Sequence, residues 1–424
     1  MTAELLEIAD GLWRGELDIR DHHPFSFVGR STEVSRDCLF VASFANVSAI
    51  STARGLVLVD TGSQLLSAQA HEAVRAWRRD RVDTVVFSHG HIDHVFGVDR
   101  YEAEAQEAGH EPLRVVAHEL VQARHERYRL TAGYNAVINQ RQFGLPGLQW
   151  PLDYRRPDVV YSDRLDLDVA GERFELHHAR GETDDATWTW MPSRGLLCCG
   201  DFFIWASPNC GNPQKVQRYP LDWSIALREM AALGAETLLP GHGLPIIGAD
   251  RVRAALTDSA ELLESLHDQA VELMNQGATL DEVLHSVVAP AALLEKPYLR
   301  PIYDEPEFIV RNTWRLYGGW YDGNPARLKP PRDAEIAVEV AQLAGGAQRL
   351  ANRASELAAR GNLKLAGHLA QLAAMAAPQD AAVTTARAEV FGAIAEAEAS
   401  VMSRGVYRWA AENPVTEEPG TTRG

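Results

Sequence analysis

Up to about residue 250, runs of β-branched and aromatic residues alternate with amphipathic stretches; beyond it helical periodicity takes over. Residues 1–60 read as β-rich, with strands at 39–50 and 55–60 separated by the polar turn 51–54. Residues 66–81 have helical character and 82–87 (Val-Asp-Thr-Val-Val-Phe) read as a short buried strand, so a β–α–β unit is expected there. A helix, a strand at 113–117 and a second helix follow within 101–127. Residues 128–162 lack clear periodicity and carry Tyr134, Phe143, Gly144, Pro146 and Trp150. That stretch reads as a long insertion, either a loop over a site or a packed surface excursion. Strands return at 165–169, 172–176 and 196–199, and a helix at 222–233 leads to 237–240.

The second part reads as helices at 251–276 and 279–288, then a helix in 305–325 running into a Gly/Pro-rich turn. Residues 333–410 are Ala-rich helix, broken at Gly345-Gly346, Gly361-Asn362 and Pro378. Three breaks are too few for a repeat array, so a compact helical bundle is expected. The tail from Glu412 is polar and expected to fray.

Composition narrows the function. A chain of 424 residues is long enough for two or three domains. Its net charge of −17, from 41 basic and 58 acidic residues, argues against nucleic acid or an anionic membrane as partner. An anionic substrate needs only a local positive pocket. The four cysteines, Cys38, Cys198, Cys199 and Cys210, have no zinc-ribbon spacing and fit reduced thiols in the cytoplasm. The first ten residues lack the basic region of a signal peptide, and no apolar run approaches the ~18 residues of a membrane span.

The chemistry concentrates in residues 88–97, Ser-His-Gly-His-Ile-Asp-His-Val-Phe-Gly. His89, His91, Asp93 and His94 fall within six positions on the loop that leaves a strand, and imidazole and carboxylate are the preferred ligands of zinc and its neighbours. Other strand ends present His178 and Glu182, then Gly200-Asp201, then Pro240-Gly241-His242. One metal site at one edge of a sheet would gather them. Asp60, ending the strand before Thr61-Gly62, is either a residue that orients a metal ligand or a turn former. His110, His118 and His125 read as surface or packing residues.

With these motifs in this order, the first 250 residues resemble the metallo-β-lactamase superfamily, and 308–325 with the helices after it resemble the dimerisation domain of the zinc-dependent alkylsulfatases. The resemblance implies an α+β chain: an αββα metallo-β-lactamase sandwich over 1–250, connecting helices over 251–304, an all-α dimerisation domain over 305–411 and a disordered tail over 412–424. It implies two divalent ions, zinc first among them, and a homodimer. His89 and His91 correspond to ligands of the first metal, Asp93, His94 and His242 to ligands of the second, and Asp201 to the bridging carboxylate. Asp93 and Asp201 are thereby the candidate catalytic groups. The third ligand of the first metal is Glu182, with His178 as the alternative. Asp184-Asp185 stands where the alkylsulfatases have Ala-Pro, and Phe143 where a substrate-facing tyrosine is expected. Against that resemblance, the sequence is expected to lack the family's sterol-carrier-like domain and amino-terminal extension.

A pair of ions roughly 3.5–4 Å apart can share a hydroxide as nucleophile. Three ligand carboxylates with that hydroxide would neutralise both ions, so an anionic ester would need side-chain cations. Lys215 and Arg218, in the stretch beginning at Asn209, are the candidates, and these three residues are the expected substrate contacts. Phe143, Trp150, Phe202, Phe203 and Trp205 are candidates to line a channel for an alkyl chain. The expected reaction is hydrolysis of alkyl sulfate esters; the alternative on this scaffold is a lactone, thioester, carboxylic or phosphate ester.

Overall fold

The structure is a computed structural model, and it describes residues 2–415. Of the expected tail 412–424, residues 416–424 lie outside the described residues, and Glu412 closes the last helix. Two compact units are present: 1–132 with 151–319, and 133–150 with 320–424.

The first unit holds two sheets. One runs in order β1 (Ser31–Ser35), β2 (Cys38–Val41), β3 (Val47–Thr52), β4 (Gly55–Val59), β5 (Val82–Val86), β6 (Arg114–His118) and β7 (Val159–Tyr161). Its first four strands pair antiparallel and β4 to β7 pair parallel. The other contains β8 (Arg164–Val169), β9 (Glu172–His178), β10 (Thr187–Met191), β11 (Leu196–Gly200), β12 (Thr237–Pro240) and β13 (Ile246–Ile247), where only β11 and β12 pair parallel.

Side-chain alternation along a strand builds the layers. Leu39, Val41, Leu56 and Leu58 pack with Ala70, Val74, Val98, Tyr101 and Val121 of the helices Ser67–Trp77, Val98–Glu107 and Leu120–Leu130. Their strand neighbours Cys38, Phe40, Val57 and Val59 join a second core with Phe174, Leu176, Trp188 and Trp190. That core continues to the helices Pro220–Ala232 and Ala249–Asn275. The result is helix, sheet, sheet, helix, the sandwich the motifs imply. Among the described residues no helix is long and apolar enough to cross a membrane.

Three local expectations are overturned. Residues 2–13 form a helix, Thr2–Trp13, which buries Leu5, Ala9 and Leu12 on one face. The expected strand 39–50 is a hairpin, β2 and β3, because Asn46 turns the chain: its Oδ1 accepts the Ser43 N–H. The insertion 128–162 contains the helix Ala132–Phe143. Its buried stripe is Asn135, Ile138, Asn139 and Gln142, three polar positions of four, so apolar periodicity could not reveal it.

In the second unit the breaks fall where expected. Helices Asp333–Ala344, Ala347–Ala359, Leu363–Ala376, Ala381–Ala397 and Val401–Glu412 form the bundle. Gly345, at φ 84°, ends the first, and Asp380 caps Ala381–Ala397 by accepting the N–H groups of Ala382 and Val383. Small side chains such as Ala351, Ala373 and Ala374 fill its core. Gly405 allows close approach to Ala132–Phe143: a Cβ there would lie 2.0 Å from the Gln142 carbonyl.

Candidate metal centre

The parallel strands β4 and β5 aim their carboxyl ends at one edge. Asp60, after β4, adopts φ 61° and accepts three hydrogen bonds at 2.7 Å, from the Ser88 N–H, the Ser88 hydroxyl and His94 Nδ1–H. A carboxylate only accepts, so His94 Nδ1 carries a proton and Nε2 is the nitrogen left to face the cluster. Ser88, having given its proton to Asp60, accepts from His89 Nδ1 at 3.0 Å, which leaves His89 Nε2 to face it as well. His242 Nδ1 donates to the Phe44 carbonyl. Asn46 ties that same hairpin to the His242 loop, donating to the carbonyls of Pro240 and Gly243 at 2.9 and 3.0 Å. Three imidazoles thus engage Nδ1 elsewhere and turn Nε2 to one place.

The structure brings all seven expected ligands together in two groups. His89, His91, Glu182 and Asp201 form one; Asp93, His94 and His242 form the other; within each, the ligand atoms lie within 4.8 Å of one another. Asp201 faces both: Oδ2 is 3.6 Å from His89 Nε2 and 3.3 Å from His242 Nε2, and Oδ1 is 3.5 Å from His94 Nε2. Asp93 Oδ2 lies 3.7 Å from His94 Nε2 and 3.6 Å from His242 Nε2. Ligand atoms held about 2.1 Å from a shared ion at tetrahedral angles sit about 3.4 Å apart, so the spacing fits. Gly241 makes room, since a Cβ there would lie 2.1 Å from Asp201 Oδ1.

Unsatisfied atoms give the same answer. His94 Nε2, Glu182 Oε2 and Asp201 Oδ1 are buried without a hydrogen-bond partner. Orphaned buried polar atoms are costly, and three aimed into one N/O donor cluster fit divalent cations. Charge agrees. Burial would lower the basicity of His94 and His242, yet Asp201 and the nearby Asp93 raise both above the usual range. Burial pushes the Glu182 carboxyl up to about 8, against the pull of Arg218. Protons gather where cations would sit.

His178 lies elsewhere: its Nδ1 donates to the Ala186 carbonyl and its ring stacks on His118 at 3.6 Å. His118 and His125 are buried packing residues and His110 is exposed. Phe202, Phe203 and Trp205 are only 1–2% exposed within the core, so they line no channel; an apolar fold needs them as filling. Phe143 and Trp150 belong to the second unit.

Arg218 is buried, with Nη1 2.8 Å from Glu182 Oε1 and also donating to the Asn209 carbonyl. Asn209 Nδ2 donates to the same Glu182 oxygen. Lys215 is half-buried; burial pushes its ammonium down to about 8, with Arg218 adding repulsion and Asp93 and Glu182 opposing it. Tyr303 carries no sequence motif and was not anticipated. Its ring stands 5.5 Å from that of Phe25, which itself lies 5.2 Å from the His242 ring, and burial with the charges of Glu182, Asp93 and Asp201 raises its phenol well above the usual value.

Residues 41–242 match the metallo-beta-lactamase superfamily and residues 279–416 match the family described as alkyl sulfatase dimerisation. The chain is 26% identical to a linear primary-alkylsulfatase of Pseudomonas sp. over 84% of its own length and 72% of that protein. It is 25% identical to an (R)-specific secondary-alkylsulfatase of Pseudomonas sp., over 86% of this chain and 59% of that one. Among solved structures, the sec-alkylsulfatase Pisa1 from Pseudomonas sp. superposes with a TM-score of 0.81 at 24% identity, covering 90% of this chain and 64% of that one.

Proposed function

We propose that this chain, with its metallo-beta-lactamase domain and its alkyl sulfatase dimerisation domain, is a hydrolase that cleaves alkyl sulfate esters at a two-ion centre. The observation that carries the proposal is Asp201, whose two oxygens face both ligand groups at 3.3–3.6 Å. His89, His91 and Glu182 would hold one ion, Asp93, His94 and His242 the other, and Asp201 both. When bound, a divalent pair, zinc by its N/O ligands, supplies water activated near neutral pH and polarises the ester oxygens.

The chain's own residues do the rest. Asp60, Ser88 and the Phe44 carbonyl fix the proton positions of His94, His89 and His242. Arg218 and Asn209 orient Glu182. Arg218 and Lys215 return positive charge to a centre whose three ligand carboxylates offset much of its cations, which favours an anionic ester. Lys215 and Tyr303 offer a cation and a hydroxyl to the sulfate group. The helical unit would pair two chains as a homodimer, as the name of the matched family suggests. A cytoplasmic location is part of the reading and rests on four buried free thiols.

Turnover of a panel of alkyl sulfates, lactones, thioesters and phosphodiesters by the zinc-loaded protein tests the substrate class. Hydrolysis of alkyl sulfates above the other esters, lost on chelation and restored by zinc, is the expected result. Preference for a lactone, thioester or phosphodiester would move the chain to the alternative ester chemistry.

A further inference from the structure

A buried ion pair behind the first ligand group has no place in the reading above. Arg124, on the helix Leu120–Leu130, is 2% exposed, and Asp185 is fully buried. Arg124 Nε donates to both Asp185 oxygens at 2.8 Å, and Nη2 of the same guanidinium donates to Asp184. Burial alone would push the Asp185 carboxyl up; Arg124 outweighs it and holds the group ionised. Asp185 Oδ2 also accepts the Gly90 N–H at 3.0 Å. Gly90 is the residue between His89 and His91, and Asp185 follows Glu182 by three positions.

One carboxylate therefore fastens the backbone of the His89–His91 loop to the loop that carries Glu182. Packing leaves that loop little play. A Cβ on Gly90 would meet Asp185 Oδ2 at 3.0 Å and Arg124 Cδ and His125 Nε2 at 3.1 Å each. None of the three ligands of the second group, Asp93, His94 and His242, is hydrogen-bonded to Arg124 or Asp185 in this way; His94 and His242 are held by Asp60 and Phe44.

We propose that Arg124 and Asp185 are positioning residues that set the affinity of the first ligand group for its ion and leave that of the second nearly untouched. Groups that orient metal ligands from behind typically control affinity by about 10–100-fold. The ion pair reaches the centre through the Gly90 N–H and the 182–185 loop, touching neither substrate nor ion. This inference rests on the two-ion reading.

The test is zinc competition against a chromophoric chelator, with the full chain and zinc alone as ligand. Wild type should hold two ions. Asp185→Asn should release one ion at roughly 10–100-fold higher free zinc and keep the other at the wild-type value. Arg124→Lys, which keeps the charge but not the fork, should fall between. Where Asp185→Asn leaves Arg124 with Asp184 alone and fails to fold, the pair Arg124→Gln with Asp185→Asn removes both charges together and should show the same selective weakening. A folded variant that holds both ions as wild type does, or loses both in parallel, overturns the assignment while the metal centre stands. A wild type that takes up no zinc overturns the metal centre, and this inference with it.

Discussion

Arg218 Nη1 lies 2.8 Å from Glu182 Oε1, and both side chains are more than nine-tenths buried. As a candidate metal ligand, Glu182 brings a charge that an imidazole would not, and burial penalises it. Arg218 answers that charge at Oε1 and leaves Oε2 to face the cluster, and Asn312 holds Arg218 in turn, bonding its backbone N–H and carbonyl at 3.3 and 2.9 Å. The substitution of carboxylate for imidazole is thus a three-residue arrangement drawn from positions 182, 218 and 312.

Arg218→Ala should therefore act on the scaffold before it acts on substrate. It strands Glu182 and should cost about 3–5 kcal/mol of stability, as breaking one side of a buried pair does. Denaturant unfolding of the metal-free protein reads this directly. A loss under about 1 kcal/mol would mean that the pair is solvated in solution.

Asp60→Asn should weaken zinc by about 10–100-fold with little change in fold. Asparagine tolerates the left-handed backbone at φ 61°, so the turn survives. What goes is the acceptor that keeps the His94 proton on Nδ1. Zinc competition on the two proteins decides, and equal affinities would show that the tautomer is fixed by something else.

The convergence of the candidate ligands was largely legible because each strand end advertises itself. His-x-His-x-Asp-His, Gly-Asp and Pro-Gly-His each pack chemistry-bearing residues against a turn, and the 3.3–3.7 Å spacings follow from bringing those ends to one edge. Asp60 was visible as one of two readings; only its three 2.7 Å hydrogen bonds decide between them. The Arg124–Asp185 pair was not legible: Asp185 stood out only as a departure from Ala-Pro, and its partner, 61 positions away, sits in no motif. The same holds for Tyr303, one tyrosine among eleven. Helix Ala132–Phe143 was hidden because its buried face is amide side chains. Aromatics misled in the opposite direction: Phe202, Phe203 and Trp205 crowd near Asp201 in sequence, yet their size is spent on filling the core.

Lys215→Met should raise KM for an alkyl sulfate about tenfold and leave kcat within a few-fold, as loss of one hydrogen bond to a charged group would. Lys215→Arg should keep most of the affinity. Steady-state kinetics on the three proteins separates the roles: a fall in kcat with KM unchanged would move Lys215 from binding the sulfate to the bond-breaking step.

Gly97→Ala should unfold the metal loop. A Cβ at Gly97 would sit 1.9 Å from the Thr61 carbonyl oxygen, a backbone atom that cannot swing aside. Thr61 in turn bonds the His94 carbonyl, so the displacement reaches a ligand. A stability loss above about 4 kcal/mol is expected, at the severe end for one substitution. Thermal unfolding measures it, and a melt near wild type would mean that the 61–97 contact is looser than described.

Removing divalent ions should lower stability without dissolving the fold. The hydrophobic layers do not involve the ligands, so the metal-free chain keeps its sheets, whereas His94 Nε2, Glu182 Oε2 and Asp201 Oδ1 lose the partners that bound ions would give them. By mass action, free zinc at 100 times its dissociation constant stabilises by about 2.7 kcal/mol for each independent ion. Calorimetry in chelator and then in graded zinc should show Tm rising with zinc concentration, while far-ultraviolet circular dichroism stays constant. In His89→Ala, which removes a ligand of the first group only, the rise should be roughly halved. A Tm indifferent to zinc in the wild type would leave seven converging side chains with no ion to hold, and the hydrolytic reading would fall with them.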